Sequence, residues 1–132
     1  MDLMDLKPTS NTVEVTLRHP NTGDVLTNED NTNMTIVVYA SHSKEYKAVM
    51  HDQTNKRLKS MQSGKNQDIT AQDMEQSTLE VLSKITSSWN ITYDKKSPKL
   101  SVSRAKDLYD EVFWIKDQIE EAIANSLDFT KA

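Results

Sequence analysis

Val13, Val15 and Leu17 alternate with Glu14, Thr16 and Arg18, the two-residue period of a strand with one buried face. Turn-forming residues crowd the next segment, HPNTGD at 19–24, where Gly23 can take a positive φ before Val25 and Leu26 resume. A hairpin is predicted there. Beyond a polar loop at 27–33, the run MTIVVYA at 34–40 is rich in β-branched and aromatic residues and predicts a third strand. Residues 1–11, with Pro8 followed by Thr9, Ser10 and Asn11, have no periodic apolar face and read as a mobile leader.

The period changes after residue 42. Ser43 can cap a helix and Glu45 sits in its first turn, where the helix dipole favours a carboxylate. That helix is predicted to run to about Met61 on a thin stripe of Tyr46, Val49, Met50, Leu58 and Met61. The segment QSGKNQD at 62–68 breaks it. Thr70 and Asp73 resemble a capping box, and Ala71, Met74, Thr78, Val81, Leu82, Ile85 and Trp89 then recur three or four residues apart, predicting one helix through Trp89. NITYD and KKSPK, with Pro98, predict a short extended or hairpin element within 90–102.

Ser101 or Ser103 caps a further helix whose apolar side is Ala105, Leu108, Tyr109 and Val112, and the stripe resumes through Ile115, Ile119, Ala122, Ile123 and Leu127. Phe113 and Trp114 fall between the two runs. Adjacent side chains on a helix point about 100° apart, so one stripe cannot hide both rings. A break at 112–114 is therefore predicted, with two short helices packed together and one ring filling the corner. The fold class is α+β: a small amino-terminal antiparallel sheet at 12–41, then a mainly helical part at 43–132 with a β/turn element at 90–102, all in one domain.

Composition narrows the function. The chain has 132 residues, room for one modest core, and at 36% hydrophobic with mean hydropathy −0.69 it is polar enough to draw some burial from association. Net charge is −4, without the broad positive field that nucleic-acid binding needs. The charge is uneven, +4 over 43–65 and −5 over 107–132, as solvated helix faces would give. Cysteine is absent, which rules out disulfides and thiolate chemistry and suits a reducing cytosol. The start MDLMDLKPTS has no basic segment ahead of an apolar one, and IVVYA is too short to span a bilayer, so a soluble cytoplasmic protein is expected. Asn33-Met-Thr and Asn90-Ile-Thr match the glycosylation pattern only by chance on that reading.

No constellation of reactive residues stands out. His19, His42 and His51 lack the close spacing of a zinc site, and with Gly23 and Gly64 as the sole glycines no phosphate-cradling loop can form. No nucleophile elbow occurs, and Glu120 with Glu121 is explained by a solvated face. No catalytic residue, metal or cofactor is expected. The clusters Lys56, Arg57, Lys59 and Lys95, Lys96, Lys99 lack interleaved aromatics, so nucleic acid ranks below protein as a partner. Binding another polypeptide remains. Tyr46, Met50, Trp89, Phe113, Trp114, Ile119 and Ile123 are the candidate contact residues, the tryptophans as rigid anchors of large area.

The stretches VEVTLRHPNTGDVL, SKEYKAVMHDQTNKRL and SSWNITYDKKSPKLSVSRAKDLYDEVFWIKDQIEEAIANSLDF, in that order over residues 13–129, resemble the small tail assembly chaperones of long-tailed bacteriophages. The resemblance is carried by the hairpin with His19-Pro20 and Thr22-Gly23, the helix start at Ser43 to Tyr46, Trp89 before a polar hairpin, and the ending from Trp114 to Phe129. The chain departs from that pattern in lacking a proline ahead of Trp114 and in its very polar 58–68 segment. The resemblance implies a non-enzymatic protein that coats the tape measure protein, keeps it soluble and helps recruit the tail tube protein. It implies the cytoplasm of an infected bacterium as the location, with the protein absent from the finished virion, and it admits self-association. The rival expectations are a virion component, such as a tail or head-tail connector subunit, and a small nucleic-acid-binding regulator.

Overall fold

In the computed structural model, which describes residues 2–6, 10–62 and 70–125, the alternating segments pair into a three-stranded antiparallel sheet. Its strands are β1 (Thr12–Thr16), β2 (Thr35–Tyr39) and β3 (Thr86–Asn90), with β2 in the centre. Val15 lies opposite Ile36 and Val13 opposite Val38, so the alternation seen in the sequence puts these side chains on one face. Val15, Leu17, Ile36 and Val38 are buried there.

Residues 17–34 form the excursion between β1 and β2. Its tip is the expected turn: the His19 N–H donates to the Asp24 carbonyl at 2.8 Å, the Gly23 N–H to the His19 carbonyl at 2.9 Å, and Gly23 takes φ of 77°. The His19 ring has a role that the sequence did not announce, since Nδ1 accepts from the Asn21 and Thr22 N–H groups. Val25 and Leu26 do not resume as a full strand. Leu26 donates to the carbonyl of Leu17, Leu17 to that of Met34, and Met34 to that of Leu26, a closed backbone triangle from which β2 departs.

The third strand of the sheet corrects the predicted layout. The amino-terminal segments supply two strands, and β3 comes from residues assigned by their spacing to the end of a helix. The helix ends at Lys84, with Ile85 as its cap. A bulge between Val37 and Val38 sets Trp89 opposite Ile36 and Thr86 opposite Val38, so the inward positions of β3 are three residues apart. A bulged strand therefore imitates helical spacing, and Thr86, Ser87 and Ser88 are poor helix formers.

The four helices are α1 (Lys44–Gln62), α2 (Ala71–Lys84), α3 (Val102–Glu111) and α4 (Phe113–Asn125). Ser43 caps α1, its Oγ accepting from the Tyr46 N–H at 3.1 Å and donating to the Ala40 carbonyl at 2.7 Å. Thr70 and Asp73 form the predicted capping box of α2, and Ser101 caps α3. The break between α3 and α4 falls at Val112, which leaves helical geometry with φ −108° and ψ 69°. Ile115 and Ile119 of α4 join the core with Leu79, Leu82, Ile85, Leu108 and Tyr109. Gln118 fastens α4 to the end of β1, accepting from the Arg18 N–H at 2.9 Å and donating to its carbonyl at 2.8 Å.

The expected leader contains a 3-10 turn at Leu3–Leu6, and its end is tied down: the Ala40 N–H donates to the Asn11 carbonyl, and the His42 ring sits 3.0 Å from the Ser10 carbonyl. Pro8 and Thr9, the break expected at 63–68, and Leu127 and Phe129 lie outside the described residues.

Candidate functional site

α1 and α2 run antiparallel and are stitched along one side by polar contacts. Lys56 reaches Asp52 at 3.4 Å and Glu80 at 3.2 Å, Lys84 reaches Glu80 at 2.9 Å and Asp52 at 3.6 Å, and the Gln53 amide donates to Ser77 Oγ at 2.8 Å. Hydrogen bonding to Glu80 raises the Lys56 pKa, and hydrogen bonding to Lys84 lowers that of Glu80. The seam fixes the pair's register while adding little stability, because its charges are largely solvated.

On the other side the helices part, and with the end of α4 they enclose an open groove of about 490 Å³. Tyr46 and Met50 of α1, Met74, Val81 and Leu82 of α2, and Ile123 of α4 make its apolar surface. The cause is visible in α1. After Met50 its stripe has no large apolar residue until Leu58, with Gln53, Thr54 and Arg57 in between, so most of the helix has nothing to bury. Met50 is 40% exposed and Met74 52%, whereas Leu82 is buried.

The candidate contact residues divide. Tyr46, Met50 and Ile123 meet in the groove. Ile119, one turn before Ile123, is 0% exposed: it belongs to the core and no partner can reach it, which corrects its assignment as a contact residue. The helix rotates about 100° per residue, so Ile119 faces the sheet while Ile123, near the helix end, also meets the α1–α2 gap. Trp89 lies on β3, half-buried, its Nε1–H donating to the Pro98 carbonyl at 2.9 Å. At the break, Trp114 packs against the core while Phe113 is 68% exposed. Met74 and Val81 are groove residues that the sequence presented only as stripe; the signal was the mismatch between a full stripe on α2 and a thin one on α1.

A second recess, of about 510 Å³, lies between Trp89, the 93–99 turn and α3. Its polar groups are engaged in holding the fold: the Tyr93 hydroxyl donates to Glu111 at 2.5 Å, which raises the tyrosine pKa, and Arg104 donates to the Lys99 carbonyl at 2.9 Å. Among the described residues no group of three His, Asp or Glu is placed to hold a metal ion, and no helix is long and apolar enough to cross a membrane. No protein-family model, curated protein or solved structure matches the chain.

Proposed function

We propose that this protein is a non-enzymatic holding chaperone, and that its client is the tape measure protein of a long-tailed bacteriophage. The observation that carries the holding role is the groove itself: Tyr46, Met50, Met74 and Ile123 leave apolar surface open between α1, α2 and α4. The client's identity rests on the resemblance carried by the hairpin, the Ser43 helix start and the Trp114 ending.

A client helix laid in the groove would bury its apolar residues against these side chains by the same spacing that helices use among themselves. A shallow groove gives moderate affinity, which lets the client go when the tail tube protein displaces the chaperone. Many copies along one long client add avidity without any tighter single contact. Such work belongs in the cytoplasm of the infected cell, before the virion is complete.

Co-expression with the tape measure protein tests the proposal. The client is expected in the soluble fraction and in a pull-down with this chain; a client that stays insoluble and does not co-purify contradicts it.

A further inference from the structure

The groove is built as three sides of a helix bundle. Tyr46, Met50 and Thr54 make a row at four-residue spacing on α1, Met74, Thr78 and Leu82 another on α2, and Glu120 with Ala124 a third on α4. Rows at that spacing are the ridges between which a further helix packs. Among its described residues, a second copy of the chain has no such row outside the groove: the exposed large apolar residues are Leu58 on α1, Val102 on α3 and Phe113 on α4, one on each helix, with Tyr93 in a turn and Leu3 and Met4 side by side on the 3-10 turn.

The walls differ in charge. The groove's charged side chains are Arg57 on α1 and Glu120 on α4, and neither takes part in an ion pair among the described residues. The wider walls match them, since α1 carries five basic and two acidic residues and α4 one basic and three acidic. Resting on the holding role proposed above, we infer that the groove takes one amphipathic helix of another protein, with an acidic flank against α1 and a basic flank against α4. Turning such a helix end for end would set like charges together on both walls, so the charges fix the direction in which the client lies.

The test uses three synthetic helical peptides about five turns long. They share one leucine stripe and differ in flank charge: one acidic and one basic flank, both acidic, or both basic. Titrated against the full chain at low salt by fluorescence anisotropy, the mixed peptide is expected to bind about fivefold more tightly than either uniform one, a contrast that fades as salt screens it. Arg57→Glu should move the preference to the both-basic peptide and Glu120→Arg to the both-acidic one, with melting temperatures near that of the parent. If all three bind alike and neither reversal moves the order, the charge assignment is overturned and the holding role stands. If none binds, both fall. A dimer of the chain in sedimentation that the peptides dissociate would make the occupant a second copy and overturn the inference as well.

Discussion

Tyr109 shows how single side chains set stability here. Its hydroxyl is buried and hydrogen-bonded to Thr86 Oγ1 at 2.7 Å, and Thr86 Oγ1 also donates to the Leu82 carbonyl, so one phenol links α3 to the junction of α2 and β3. Burial pushes the Tyr109 pKa up to about 12 from an ordinary 10.0. The folded-state pKa lies above the unfolded one, so the stabilisation is intact below pH 10 and is lost as pH rises from 10 towards 12. Tyr109→Phe should cost about 1 kcal/mol at neutral pH for the lost hydrogen bond and flatten the fall in denaturation midpoint above pH 10. An unchanged alkaline profile would place the titrating group elsewhere. Ile119 and Met50 give a second contrast at this scale. Ile119→Ala empties a fully buried site and should lower stability by about 2 to 5 kcal/mol, whereas Met50→Glu, at a residue 40% exposed, should leave chemical denaturation nearly unchanged and abolish client pull-down.

Among the elements, α2 and the 93–96 turn are where local sequence decides most. Thr70→Ala removes one half of the capping box on α2 and should cost about 1 kcal/mol in urea denaturation. Tyr93 and Lys96 exchange both backbone hydrogen bonds across Asp94 and Lys95, which take φ of 52° and 63°. Side chains disfavour that region, so Lys95→Gly should raise the unfolding free energy by about 1 kcal/mol, and a loss would mean that the Lys95 side chain has a packing role. The same elements mark what sequence can convey. Caps at Ser43 and Thr70 are local chemistry and were readable as such, Ser101 was one of two candidates with Ser103, and the break that two adjacent rings demanded within 112–114 falls at Val112. The strand β3 was not, because its inward spacing depends on a bulge between Val37 and Val38, almost fifty positions earlier in the chain.

For the whole molecule, a short sheet is covered on one face by helices, and the unequal stripes of α1 and α2 leave Tyr46, Met50, Met74 and Ile123 lining a groove. The α+β class was legible in the sequence, as were the inward positions of β1 from their alternation and the strand β2 from its β-branched run. The groove was legible only in part: Tyr46, Met50 and Ile123 could be named as contact residues, yet nothing local told Ile123 from Ile119, since a core and a groove present the same spacing until the neighbouring elements are in place. Methionine methyl NMR on the isotopically labelled chain, titrated with the soluble tape measure protein, reports on whether the groove holds the client. The Met50 and Met74 signals are expected to shift and broaden together while that of Met34, half-buried against the core, stays in place. Client binding that leaves Met50 and Met74 where they were would contradict binding in the groove.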